Sequence, residues 1–328
     1  MSKSILALKD LKTYFPVKKE QGEMLYVKAV DGVNLEIAKG EIMGLVGESG
    51  SGKSTIAYTV MGMYQATGGQ IIFQGQNINM SSGKRPLALK KDLQIVFQDP
   101  GSSLNSRQNI KQILELPLRV HKIVEENKVA AKVLELLKMV ELSPEYLYKS
   151  PVTMGGGERQ LISIARALAC DPQFIILDEP TSALDVSIQA KIINALVKLQ
   201  KEQDLTYLFI THDLSLMRNI ATRVAIMYLG KICETAQTTD FYKNPLHPYT
   251  KMLLSSIPVV SEEEEQLKPQ KIISRGEIPS PVNIPPGCSF HLRCPEKTAV
   301  CQEKDPVMVE ALPGHYVRCH AFKNCRGE

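Results

Sequence analysis

No apolar run in this chain approaches the ~20 residues that a membrane-spanning helix needs. The first residues, Met1-Ser2-Lys3-Ser4, lack the apolar core of a secretion signal. No long basic run occurs, and a formal net charge of +4 is too small to argue for nucleic acid as a partner. Tight C-x2-C knuckles, usual in structural zinc sites, are missing as well. These absences predict a cytoplasmic protein whose membrane role, if it has one, comes through a partner. What is present suits a globular chain: 328 residues suffice for one large domain and a smaller one.

The most informative stretch is Gly47-Glu48-Ser49-Gly50-Ser51-Gly52-Lys53-Ser54-Thr55, which fits the phosphate-binding pattern G-x-x-x-x-G-K-[ST]. Its flanks fit too. Glu41 to Val46 is a short apolar run that reads as a buried strand, and Ser54 to Met63 is proline-free and reads as a helix. Gly47, Gly50 and Gly52 let the backbone turn its N–H groups inward, and the helix adds the positive end of its dipole. Lys53 then meets the outer phosphates as a point charge, and the Ser54 hydroxyl is placed to hold Mg²⁺.

Along the chain, Leu6 to Leu11 reads as an edge strand, followed by Tyr14-Phe15 and a lysine-rich turn to about Glu23. Strands are predicted over Val27 to Val30, Val33 to Ile37, Gln70 to Gln74 and Leu93 to Phe97. The last runs out into Gln98. From about Asn109 to Leu147 the spacing turns helical, as Ala130, Val133, Leu134 and Leu137 illustrate. Helices are predicted over Glu158 to Ala169 and Val186 to Gln203. Apolar strands at Phe174 to Leu177 and Tyr207 to Ile210 run into Asp178-Glu179 and His212. Strands alternating with helices imply an α/β fold with a largely parallel sheet, whose ligands gather at the carboxyl ends of the strands. Asp178 there suits Mg²⁺, and Glu179 suits polarising a water for attack on a γ-phosphate. After a hairpin around Leu229-Gly230 the chain changes character. The domain boundary is predicted near Thr235, with Glu262 to Glu265 as a solvated linker face.

Taken together, these stretches resemble the ATP-binding subunit of an ABC transporter. The P-loop matches Walker A, Gln98 the Q-loop, and Met154-Gly155-Gly156-Gly157-Glu158-Arg159-Gln160 the signature. Phe174 to Glu179 matches Walker B, Ser182-Ala183-Leu184-Asp185 the D-loop, and His212 the switch histidine. The resemblance implies a P-loop cassette over residues 1–235 with a mixed sheet core, an antiparallel β subdomain and a helical subdomain at about 100–165. A small irregular extension covers 236–328. It implies ATP held by Ser49, Gly50, Ser51, Gly52, Lys53, Ser54 and Thr55, with Mg²⁺ on Ser54, Gln98 and Asp178. Glu179, Gln98 and His212 are then the catalytic groups, and Phe15, with Tyr14 as the fallback, stacks on adenine. Gly155, Gly156, Gly157 and Asp185 serve the site shared between two cassettes that sandwich ATP head to tail. The family normally has serine where this chain has Gly155. Losing that hydroxyl removes a hydrogen bond to a charged group, on the order of 1.5–3 kcal/mol if unreplaced, an asymmetry that suits a heterodimer.

The tail narrows the resemblance. Asn244-Pro245-Leu246-His247-Pro248-Tyr249-Thr250 and Cys288 to Pro295 resemble the C-terminal extension of oligopeptide and dipeptide importer ATPases. Such subunits work with a second ATPase, two membrane permeases and an extracytoplasmic peptide-binding protein, at the inner face of the membrane. The alternative is an ABC ATPase acting on nucleic acid or ribosomes; a single cassette followed by a terminal extension disfavours it. Cys288, Cys294, Cys301 and Cys319 cluster in the tail, with Cys325 as a substitute for Cys319. Four thiols in a cytoplasmic protein suit zinc or an iron–sulfur cluster better than disulfides, and the resemblance favours a [4Fe–4S] cluster.

Overall fold

A computed structural model describes residues 4–20, 23–182, 184–257 and 276–325. The acidic run at Glu262 to Glu265 and Ala183 of the D-loop lie outside the described residues.

The first two strands, β1 (Ser4–Glu20) and β2 (Glu23–Ala38), form one long antiparallel ribbon where three short strands and a turn were predicted. The difference lies in bulges. The β1–β2 register shifts between Leu8 and Leu11, between Thr13 and Tyr14, and between Pro16 and Lys19. Each bulge interrupts the apolar alternation without ending the ladder. The ribbon continues through β4 (Gly68–Phe73) to β5 (Gln76–Asn77), giving a four-stranded sheet in the order β2-β1-β4-β5.

The second sheet is larger. Its strands are β3 (Ile42–Val46), β6 (Leu93–Val96), β7 (Phe174–Asp178), β8 (Thr206–Thr211), β9 (Arg223–Tyr228), β10 (Lys231–Gln237), β11 (Val309–Leu312) and β12 (His315–Val317). They lie in the order β11-β12-β10-β9-β3-β8-β7-β6. The five strands from β9 to β6 run parallel, and β10, β12 and β11 add an antiparallel edge. Strands β3, β7 and β8 are buried along their whole length. This explains their uninterrupted apolar character, since a parallel strand covered on both faces has no wet side.

One face of this sheet packs, with α1 (Lys53–Val60), against the antiparallel sheet: Leu6, Leu8, Val33 and Ile37 meet Ile56, Val60, Leu45 and Ile210 in one core. The other face carries α6 (Gly156–Leu168), α7 (Val186–Gln203) and α8 (Leu214–Ile220). Two short helices, α2 (Leu87–Asp92) and α3 (Pro100–Ser103), precede the helical region predicted after Asn109, which is α4 (Ile110–Val120) and α5 (Val129–Met139). Asn109 caps α4 by accepting from the Gln112 N–H at 2.9 Å, while the Gln112 side chain accepts from the Asn109 N–H at 3.0 Å.

The boundary predicted at Thr235 falls inside β10. Glu234 and Thr235 pair with Val317 and Tyr316 of β12, so the tail adds strands to the same sheet. Two further short helices, Thr238–Lys243 and Pro248–Ser255, lead away from β10. Glu234 is fully buried and accepts three hydrogen bonds, from the Leu246 N–H at 2.9 Å, the His247 N–H at 2.8 Å and His315 Nε2 at 2.7 Å. No helix among the described residues is long and apolar enough to cross a membrane.

Candidate active site

Strands β3, β6, β7 and β8 end side by side, and the residues that follow them line one cleft of about 770 Å³. Its walls include Ser49, Gly50, Gly52, Lys53, Ser54 and Thr55 from the phosphate loop and α1, with Gln98, Glu179 and His212 from the neighbouring strand ends. Parallel pairing of β3 with β8 and of β7 with both β8 and β6 aligns these ends, which is why positions so distant in sequence converge.

The loop conformation depends on glycine at two positions. Gly52 has φ +106°, and a Cβ there would lie 2.0 Å from the Ala29 carbonyl oxygen. A Cβ on Gly47 would lie 2.2 Å from the Met227 carbonyl oxygen. Neither clash can be relieved by turning a side chain, since backbone is the obstacle. Across the loop, the buried Lys53 ammonium donates to the Gly47 carbonyl at 2.7 Å and the Glu48 carbonyl at 3.0 Å. Burial pushes the Lys53 pKa down, against the opposing pull of Glu179, Asp178 and Glu48.

Ser54 donates to Asp178 Oδ1 at 2.9 Å. Asp178 is fully buried, which pushes its carboxyl above the usual range, and its Oδ2 has no hydrogen-bond partner. An unsatisfied buried carboxylate oxygen beside a hydroxyl is a hard-oxygen donor set that fits Mg²⁺. Glu179 stands next along the chain with φ +44°, the left-handed region that a glutamate rarely adopts, held by its N–H to the Ile210 carbonyl at 2.9 Å. Its carboxylate accepts from Gln98 Nε2 at 3.0 Å and faces His212 Nδ1 at 3.5 Å. Phe15 lines the cleft and packs edge-on against Tyr64 at 5.0 Å. Tyr14 instead gives its hydroxyl to Asp31.

Gly155, Gly156, Gly157 and Asp185 do not line this cleft. They sit where α6 and α7 begin. A Cβ on Gly157 would lie 2.3 Å from Ile188 Cγ2, and Asp185 caps α7 by accepting from the Ile188 N–H at 3.0 Å. Gly155 is exposed at the start of α6, its N–H donating to the Glu158 carboxylate at 2.8 Å.

The family model for ABC transporters matches residues 30–182, and that for the oligopeptide/dipeptide transporter C-terminal region matches 233–301. The oligopeptide transport ATP-binding protein AppF of Bacillus subtilis (strain 168) is 48% identical over 97% of this chain and 98% of its own. The chain belongs to the ABC transporter family. A putative oligopeptide transport ATP-binding protein of the same organism, YkfD, is 46% identical over 98% of this chain and 96% of its own. Among solved structures, the dimeric ATP-binding cassette MJ0796, bound to ADP and Pi, has a TM-score of 0.61 at 30% identity, covering 71% of this chain and 98% of its own. CbiO1 from Clostridium perfringens has a TM-score of 0.63 at 26% identity, covering 74% of this chain and 92% of its own. ABC cassettes hydrolyse ATP, and this chain is an ATPase. The reading as an ATPase acting on nucleic acid or ribosomes is not favoured by these relatives.

The metal centre expected in the tail of this ABC subunit is overturned. Among the described residues no three His, Cys, Asp or Glu side chains are placed to hold a metal ion. Cys288, Cys294, Cys301 and Cys319 are free thiols. Burial, the largest cause, raises the pKa of Cys288 and Cys319 and pushes Cys294 up to about 11. The tail is held by other means: the β10–β12 pairing, the Glu234 hydrogen bonds, and Phe290 packed against Tyr228 and Tyr249, each at 5.3 Å.

Sequence reasoning missed three residues that the fold brings to the site. Arg293 reaches Glu48 of the phosphate loop, Tyr249 reaches the Glu48 N–H, and Pro281 lines the cleft. Arg293 stands in the tail stretch that carries the resemblance, but its partner lies 245 positions earlier, beyond any local pattern.

Proposed function

We propose that this chain is the ATP-hydrolysing subunit of a peptide importer, working on the cytoplasmic face of the membrane with two permeases, an extracytoplasmic binding protein and a second, non-identical cassette. The meeting of Lys53, Ser54–Asp178 and Gln98–Glu179–His212 in one cleft carries the ATPase part of this reading. The match of the tail to the oligopeptide/dipeptide transporter region, and the names of the similar chains, support the peptide part.

In this reading the loop N–H groups and Lys53 bind the phosphates of ATP, and Phe15 stacks on the base. Ser54, Gln98 and Asp178 would hold Mg²⁺, which neutralises charge on the phosphate oxygens. Glu179 accepts a proton from the attacking water, with Gln98 and His212 fixing its carboxylate. The left-handed backbone at Glu179 aims that carboxylate at the γ-phosphate side of the cleft. The signature glycines of this chain complete the site of the partner cassette, and the partner's signature completes this one.

Glu179→Gln keeps shape and removes the charge. In the assembled transporter it is expected to retain ATP and to lose hydrolysis by about 10²–10⁴-fold. A variant that hydrolyses near the wild-type rate would put the base elsewhere.

A further inference from the structure

The C-terminal extension touches the phosphate loop itself. Arg293 donates from Nη1 to Glu48 Oε2 at 2.8 Å and from Nη2 to Glu48 Oε1 at 3.0 Å, a two-pronged contact with the residue that follows Gly47. Arg293 is 7% exposed, and its guanidinium lies over the rings of Tyr228 at 5.7 Å and Phe290 at 5.8 Å. The same loop residue donates its N–H to the hydroxyl of Tyr249 at 3.1 Å. Tyr249 is fully buried against Tyr228, 4.7 Å away at the end of β9. On the other side of the cleft the Pro281 carbonyl accepts from the Lys28 N–H at 3.3 Å, and Pro281 joins Phe15 and Val27 in the wall.

This arrangement answers an electrostatic problem. A carboxylate at Glu48 stands in a loop whose task is to attract an anion, and it acts on Lys53, the one cation of that loop. Left alone it would repel the phosphates and draw on the Lys53 ammonium. A planar guanidinium that grips both carboxylate oxygens balances that charge and ties it to the extension.

We propose that the C-terminal extension is a working part of the nucleotide site. Arg293 is a positioning residue that neutralises Glu48, and with Tyr249 it holds the start of the phosphate loop in its anion-binding shape. Loss of the extension's grip thereby weakens ATP binding while the cassette's own residues stay intact. The proposal rests on the reading of the cleft as the ATP site.

The test is displacement of a fluorescent ATP analogue by ATP from the purified full-length chain, with thermal melting of each nucleotide-free variant alongside. Arg293→Ala is expected to raise the Kd for ATP about tenfold, the cost of one uncompensated charge at several ångströms in a partly wet site. Arg293→Lys, which cannot grip both oxygens, should fall between. In the double variant Glu48→Gln with Arg293→Ala the repelling charge is gone, and most of the affinity should return even if the melting temperature stays low. A merely structural role predicts the opposite: the double variant binds ATP no better than Arg293→Ala, and that outcome overturns the proposal. So does an unchanged Kd for Arg293→Ala. If the wild-type chain itself fails to bind ATP, the reading of the cleft falls, and the role of Arg293 with it.

Discussion

Restoring the missing hydroxyl of the signature offers a gain-of-function test. Gly155 has φ −67° and ψ 163°, a conformation open to any residue, and it occupies the N-cap of α6. A Cβ there would meet nothing nearer than Glu158 Oε2 at 3.7 Å, an ordinary contact. Gly155→Ser is therefore free of strain. It also completes a serine–x–x–glutamate capping box, because the Glu158 carboxylate already accepts from the residue 155 N–H. Serine improves on glycine at an N-cap by a few tenths of a kcal/mol, so the isolated chain should melt at the same temperature or about a degree higher. On the proposed head-to-tail pairing of two cassettes, the larger effect is expected in the partner's ATP site, where a hydroxyl reaching a phosphate is worth about 1.5–3 kcal/mol. If half of that is realised, the ATP concentration for half-maximal hydrolysis by the assembled transporter falls roughly three- to twelvefold. ATP binding by the isolated chain should not change, since its own cleft lacks the signature. The reasoning fails if the assembled complex shows no change in the ATP dependence of its rate, or if the isolated chain gains affinity.

Lys53→Ala removes the buried cation of the phosphate loop. Titration with ATP should show a loss of about 2–5 kcal/mol, and an unchanged Kd would place the phosphates elsewhere. Gly157→Ala pushes a methyl into Ile188 at 2.3 Å. Calorimetry should record a destabilisation of about 1–3 kcal/mol at the α6–α7 contact, and a neutral result would mean that this seam is loose. His247 is buried and its pKa is pushed down to about 4, mainly by burial. Its unfolded form binds a proton near pH 6.5 and its folded form only near 4, so it lowers stability as pH falls through that window, by up to about 1.4 kcal/mol per pH unit. His247→Asn keeps an acceptor for the Tyr249 N–H, which His247 Nδ1 holds at 3.0 Å. Its denaturant midpoint should therefore vary less between pH 6.5 and 4 than that of wild type, and equal slopes would refute the assignment.

The parts of the fold that could be read in advance share a physical trait: each is bounded sharply. Strands β3, β7 and β8 are apolar throughout because both faces are covered, and each ends at a glycine, a carboxylate or a histidine that marks the site. Helix α7 was legible end to end because Asp185 caps its start and Asp204, at φ +50°, stops it. The β1–β2 ribbon was not, because its bulges at Asp10 and Gly32 break the alternation that marks a strand. The cysteines misled because spacing in sequence does not fix how side chains are placed: the four line one small pocket, yet among the described residues no three groups are placed to hold a metal ion. Contacts made only by the fold, such as Arg293 with Glu48 and β12 with β10, leave no local trace. Such pairings depend on residues far apart in the chain whose individual types are unremarked.

Strand order also has a consequence for biosynthesis. Strand β10 ends at Gln237, yet β12, which covers its open side, is translated about 80 residues later. At about 5–20 residues per second the nascent sheet spends several seconds with a bare row of amides at its rim and with Glu234 not yet met by His315. A bare rim of that kind pairs readily with any other exposed strand. Ribosomes queued on one message would hold several such rims close together, which makes this interval the stage of synthesis at which strands of neighbouring chains pair most easily.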